Sequence, residues 1–338
     1  MRKIYGILAV ACALSAISFA PKPKIVSNPY EGIDWNSVLQ LKAGLHVHTC
    51  NSQLEWGPSE GTTVTPAQQI DRYTELGYDV LALTDHDHIS FPWAQFDRAD
   101  SRLVAIQGNE LSKNDNMVSL FNDYIDHPGE GPDTSDGFYG CIEGVSARAG
   151  IIYLAHPMRN SEICKADTVI ELLRRYPCVY GMEVLNVGQF EKNKSIALWD
   201  EVLSILMPAR PVYGSSSDDA HSTSMAGKGW TTLLTSARTP LEVRRALTTG
   251  TTFFSTPLMV KNPSGPVPGI RAIDVDAQRG IIKITATDTD TIEWVSMGRI
   301  VATGDTFRLS KTPEAHHYVR AVLTGKGGQT FTQAWGIE

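Results

Sequence analysis

An α/β fold is predicted for most of the chain: a distorted seven-stranded (β/α) barrel followed by a small all-β sandwich domain. Three observations predict it. Short continuous apolar runs recur between helical stretches from residue 41 onward, histidine- and carboxylate-rich clusters follow those runs, and past residue 270 the apolar period changes to two. Continuous apolar runs alternating with helices mark parallel strands covered on both faces, whereas strict alternation marks a strand with one wet face.

The leading residues stand apart. Arg2 and Lys3 precede an apolar stretch, residues 4–20, broken only by Gly6, Ser15 and Ser18. A positive start, a short apolar run and small residues near its end read as an export signal, and the run is short for a membrane span. Residues 1–20 are therefore assigned to a signal peptide. The processed chain is expected outside the cytoplasm, periplasmic or secreted, with no stable membrane insertion. Cys12 leaves a lipid anchor open.

Residues 21–260 are assigned to the barrel. Its apolar runs are 45–47, 80–83, 103–106, 151–155, 179–184, 211–213 and 230–234. Two intervening helices have defined starts. Thr65-Pro66-Ala67-Gln68 fits a capping box with proline at the first helical position, and Gly77 can end that helix. Thr239-Pro240-Leu241-Glu242 repeats the device, with Gly250 at the far end. Residues 261–270, rich in proline and glycine, form a linker. In the second unit, residues 268–338, Ile282, Ile284 and Ala286 alternate with Lys283, Thr285 and Thr287, and Val319, Ala321 and Leu323 alternate likewise.

At 338 residues, with 42% hydrophobic and 20% charged positions, the chain can bury a large core. A net charge of −7 argues against a nucleic-acid surface, since such surfaces concentrate Lys and Arg. Beyond Cys12 the cysteines are Cys50, Cys141, Cys164 and Cys178, which form no C-x-x-C pair. A Cys164–Cys178 disulfide and buried free thiols both remain open.

The chemistry gathers behind the strands. His46-Val47-His48 follows the first run, and on an extended strand both imidazoles share a face. Thr84-Asp85-His86-Asp87-His88 follows the second, Gly108-Asn109-Glu110 the third, His156-Pro157 the fourth and Asp218-Asp219-Ala220-His221 the sixth, while Glu183 lies in the fifth. A lone histidine in a strand is usually a core or surface residue. Here they recur at equivalent points of separate βα units, which converge in a barrel. Histidine with carboxylate and no thiolate is the ligand set of hydrolytic zinc, manganese or iron centres.

In these motifs the sequence resembles the PHP family, named for polymerase and histidinol phosphatase domains. The resemblance spans about residues 41–255: HVHT at 46–49, LTDHD at 83–87, GNE at 108–110, AHP at 155–157, GMEVLN at 181–186, DAH at 219–221, GKGWTTL at 227–233 and TTGTTFFST at 248–256. The tail at 317–337 is similar to a β-sandwich behind some secreted members. The family is known for a distorted seven-stranded barrel with three metals, and the resemblance implies the following roles. His46, His48, Glu110 and Asp219 would bind the first ion. His86 and His221 would bind the second, with Glu60 standing at the turn where the family supplies a further carboxylate. Glu110 and His156 would bind the third with one more histidine, but residues 113–117 hold none. Asn116 or Asp115 occupies about that place, so two or three divalent ions are expected. Asp85 would orient a ligand histidine.

The resemblance implies a metal-dependent phosphoesterase acting on a small phosphorylated substrate. Paired cations polarise a phosphoryl oxygen and lower the pKa of a water to about 7, and the hydroxide attacks phosphorus in line. Arg159 would stabilise the transferring group, with Lys113 the second candidate. The same cage could hydrolyse an amide or carboxylic ester. A non-catalytic module presenting the sandwich to a partner is the reading from a different class.

Overall fold

Five strands form one sheet in the order Tyr213–Ser217, Val179–Asn186, Ile151–Leu154, Met117–Leu120 and Gly108–Leu111. The structure, a computed structural model, describes residues 24–338 except 55–56, 59–61, 114, 127–134 and 188–191. The expected signal peptide, Cys12 and Glu60 lie outside the described residues. Among the described residues no helix is long and apolar enough to cross a membrane.

The first three strands of this sheet run parallel and are buried along nearly their whole length, the apolar Ile151–Leu154 and the serine-rich Tyr213–Ser217 alike. Gly181 permits the closest approach: a Cβ there would stand 1.8 Å from the Tyr213 carbonyl oxygen. The other two pairings are antiparallel. The strand Met117–Leu120 inserts between Gly108–Leu111 and Ile151–Leu154 and is none of the apolar runs read from the sequence. Its apolar run is broken by Ser119, whose buried hydroxyl donates to Asn109 Oδ1 at 2.9 Å.

A second, 11-stranded sheet carries Val104–Ile106, Val80–Ala82, Leu39–Gly44, Trp230–Thr235 and Thr252–Thr256 in that order. The first three are parallel, but Trp230–Thr235 is antiparallel to Leu39–Gly44 and to Thr252–Thr256. The pairing is therefore not the all-parallel ring of runs read from the sequence. Residues 45–47, expected as the first strand, lie just beyond Leu39–Gly44. Isolated bridges from Val47 to Ala220 and from His86 to Glu110 join the two sheets at one end.

One of the two caps forms in full as read. Thr65 accepts from Gln68 N while Gln68 reaches back to the Thr65 backbone, starting the helix Pro66–Glu75. At Pro240–Thr249 only half of the box forms: Thr239 accepts from Glu242 N, but the Glu242 carboxylate turns to Ser236. Gly250, at φ +68°, ends that helix in the left-handed conformation that glycine adopts without strain.

Thr252–Thr256 pairs onward with Gly328–Thr332, so the large sheet continues into the C-terminal strands across the linker. There Gly269–Asp276, Ile281–Thr287 and Thr306–Arg308 form a separate antiparallel sheet. Ile273, Ile282, Ile284, Trp294, Phe307, Val319, Ala321 and Trp335 share one apolar cluster between the two. Tyr318–Gly325 is buried on both faces, because its other face packs against the core built around helix Lys192–Leu206. The leading strand Ile25–Ser27 also joins this unit, pairing with Trp335–Ile337. Cys50, Cys141, Cys164 and Cys178 form no disulfide with one another, and Cys141 and Cys178 are buried.

Candidate metal centre

Two chain segments 173 residues apart build the centre's floor. Past the strand Leu39–Gly44 the chain bends at His46 and bridges to Ala220 at Val47, with Val47 in the apolar cluster of Ile70 and Leu81 while His46 and His48 meet the carboxylates. The same parity splits the two aspartates of 218–221. Asp218 turns back to accept from the Tyr73 and Tyr78 hydroxyls and from the backbone N–H groups of Gly227, Lys228 and Gly229. Asp219 faces the histidines.

His46 Nε2 and His48 Nε2 stand 3.0 Å apart. Asp219 Oδ1 lies 3.4 and 3.1 Å from them, and Glu110 Oε2 lies 3.2 and 3.3 Å from them. Two groups flank these four. His86 Nδ1 is 2.9 Å from Glu110 Oε2, and the His86 and His221 rings each stack against the His48 ring with centroids 4.2 Å away and 5.7 Å from one another. His156 Nε2 is 2.9 Å from Glu110 Oε1. Three groupings result: His46 with His48 and Asp219, His48 with His86 and His221, and His46 with Glu110 and His156.

Among the described residues His48 stands with His86 and His221; Glu60, the carboxylate expected there, lies outside them. His46 is the second histidine beside Glu110 and His156. Asn116 does lie there, its Nδ2 donating to Glu110 Oε1 at 2.9 Å. Asp115 does not: its carboxylate accepts from the backbone N–H groups of Ser161, Glu162 and Ile163.

Glu183 orients the His46 ring and anchors the His156 backbone. Its Oε1 accepts from His46 Nδ1 at 2.9 Å and from the Ser217 hydroxyl; its Oε2 accepts from the His156 backbone N–H and from Asn186 Nδ2, both at 2.9 Å. A carboxylate on one imidazole nitrogen fixes the tautomer that bares the other, the usual support of a ligating histidine. Ser217 carries no motif to betray it, whereas a glutamate in an apolar strand does.

Asp85 reaches a ligand histidine only through an intermediary. It is fully buried, and Thr49 N, Thr49 Oγ1, Ser52 Oγ and Ser90 Oγ all donate to it. Four donors use the capacity of a carboxylate, and no histidine is among them. The hold of Asp85 on the site passes through Ser52, whose Oγ is 3.3 Å from His48 Nδ1. Arg159, on the short helical turn Pro157–Arg159, places Nη1 3.2 Å from Asp219 Oδ2 with its side chain 51% exposed. Lys113 turns away to the Asp126 carbonyl.

Backbone strain marks the same places. His156 and Asp219 have φ of +25° and +47°, uncommon outside glycine. The His156 N–H bond to Glu183 and the Asp219 N–H bond to the His46 carbonyl, 3.1 Å, hold them there.

The electrostatics follow from crowding charges without water. Burial disfavours a charged His46, but Glu183, Glu110 and Asp219 outweigh it and hold its pKa well above the ordinary value. His48 behaves alike, burial losing to Asp219 and Glu110, and rises to about 9. His221 falls to about 4 through burial and the neighbouring His48 charge. Burial would raise Glu110 and Asp219, yet the imidazoles hold both well below the carboxylate range. The carboxylates thus demand positive charge at the point where the ring nitrogens meet. Glu110 Oε2, buried and without an aligned hydrogen bond, faces three imidazole nitrogens within 3.3 Å. This donor set fits divalent cations.

No family model and no curated protein matches the chain. Among solved structures, it is similar to a two-domain protein from Bacteroides vulgatus described as containing a predicted PHP-like metal-dependent phosphoesterase. That likeness has a TM-score of 0.51 and 13% identity, covering 93% of this chain and 90% of that one. Partial likenesses are an amidohydrolase from Chromobacterium violaceum with bound sulfate and no metal (TM-score 0.38, 16% identity, 53% and 87% covered) and PsfC from Pseudomonas syringae (0.35, 17%, 57% and 82%). The mixed α/β fold, over nearly the whole chain, is that of the two-domain PHP-like protein.

Proposed function

We propose that the chain is a metal-dependent phosphoesterase acting on a small phosphate ester outside the cytoplasm. The observation that carries this reading is the convergence of His46, His48, Glu110 and Asp219 on one point, with the half-exposed Arg159 guanidinium at its rim. His46, His48, Glu110, Asp219, His86, His221 and His156 would hold two or three divalent ions, zinc, manganese or iron, with Glu60 the proposed further ligand. Such ions supply Lewis-acid polarisation of a phosphoryl oxygen and a water of lowered pKa.

The chain's own residues do the rest. Glu183 keeps the His46 ring aimed inward and holds the His156 backbone, and Ser52 with Asp85 orients His48. Arg159 spends one N–H on Asp219 and directs its charge to the rim, where a phosphoryl group would gather negative charge. We read the bridged sheets as a distorted barrel within residues 21–260, the strand Ile25–Ser27 excepted, buttressed by a β-sandwich at 268–338, with residues 1–20 as export signal.

The test is metal analysis of purified protein, then a phosphate-release screen of mono- and diesters. Bound divalent ions with phosphate release that inorganic phosphate inhibits are expected. Metal-loaded protein that cleaves amides or carboxylic esters but no phosphate ester would overturn the phosphoesterase reading.

A further inference from the structure

The helix Pro66–Glu75 buries four residues: Pro66, Gln69, Ile70 and Tyr73. Apolar side chains alone would dock it, yet two of the four present polar atoms to the metal-site segments. Tyr73 donates its hydroxyl to Asp218 Oδ2 at 2.9 Å. One turn earlier, the fully buried Gln69 donates both protons of Nε2, to the His48 carbonyl at 2.9 Å and to the Ala220 carbonyl at 3.0 Å.

Those two carbonyls belong to the two ligand-bearing segments. His48 carries a ligand itself, and Ala220 lies between Asp219 and His221. The segments meet through only a short ladder, with His48 N bonded to Ala220 O at 3.0 Å and Asp219 N bonded to His46 O at 3.1 Å. Past His48 the ladder stops, and the Gln69 amide takes the next rung. Its Oε1 is buried without a partner, a cost that packing alone would not require.

We infer that Gln69 is a positioning residue for the metal centre: its amide clamps the 46–48 and 219–221 segments at the spacing that lets His48, Asp219 and His221 serve common ions. This rests on the metal-site reading above. Without the clamp the ligands keep their identity but lose the separation that high affinity needs.

The experiment is Zn2+ titration of chelator-stripped protein in competition with a chromophoric chelator, beside far-UV circular dichroism and thermal melting. Three variants are compared with the parent: Gln69→Leu, which fills the space without a donor; Gln69→Asn, whose amide is one methylene short; and Ile70→Val, a core change on the same helix. Gln69→Leu is expected to weaken Zn2+ binding at least tenfold with an unchanged dichroism spectrum, and Gln69→Asn to fall between it and the parent. Ile70→Val is expected to lower the melting temperature but bind as the parent does. Parental affinity in both Gln69 variants would overturn the clamp, as would equal weakening in Ile70→Val. Should Gln69→Leu fail to fold, Gln69→Asn decides by the same comparison. A parent that binds no Zn2+ would overturn the metal reading itself, and the clamp with it.

Discussion

Arg320 and Asp200 form a bidentate ion pair, Nε to Oδ1 and Nη2 to Oδ2, both at 2.7 Å, with each side chain at least 94% buried. Asp200 lies on the helix Lys192–Leu206 and Arg320 on the C-terminal strand Tyr318–Gly325, so the pair fastens one unit to the other. The Tyr318 hydroxyl donates to the same Oδ1 at 2.7 Å, and the Trp199 ring lies 5.1 Å from the guanidinium carbon. Removing one partner of such a pair strands a charge without solvent. Asp200→Ala should therefore cost about 3–5 kcal/mol of unfolding free energy. Asp200→Leu with Arg320→Met should recover much of it. Denaturant titration measures both, and an Asp200→Ala change below about 1 kcal/mol would show that the pair contributes no more than an exposed one.

Stripping metal should destabilise the protein. Ions that bind only the folded chain add about 4 kcal/mol when present at 1,000 times their dissociation constant. Thermal melting with and without Zn2+ should show a large gap in the parent and a much smaller one in Asp219→Ala. Equal gaps would mean that ions bind elsewhere.

Glu183→Gln keeps the side chain's shape but removes charge and sets an amide N–H against groups that donate. Loss of such a supporting carboxylate lowers metal affinity by about 10–100-fold. Chelator competition should show this with the fold intact, and parental affinity would remove Glu183 from the support of His46.

Arg159→Ala should leave metal content unchanged and lower kcat/KM for phosphate esters by about tenfold, an exposed donor being weaker than a buried one. Unchanged kinetics on every phosphate ester turned over would remove it from the site.

Much of the centre was legible because it depends on parity and repetition. His46 and His48 two apart, and Asp218 beside Asp219, determine which side chains share a face before any contact is known. The capping residues at Thr65 and Thr239 likewise act within one turn. What the sequence hid is set by distant partners. Met117–Leu120 is a strand because both neighbours supply its ladder, though Ser119 breaks its pattern. Tyr318–Gly325 looks one-sided until helix Lys192–Leu206 covers its outer face. Asp85 reads as a histidine's partner, yet three hydroxyls and a backbone N–H claim it first.

The ladder joining Thr252–Thr256 to Gly328–Thr332 pairs residues such as Ser255 and Thr330 that are 75 positions apart. A chain clipped before its last strands would leave Thr-Phe-Phe-Ser-Thr as a bare β edge rich in aromatic and β-branched residues, the kind that recruits other chains. Loss of the tail would thus yield not a smaller working enzyme but a sticky one, whose first symptom is precipitation.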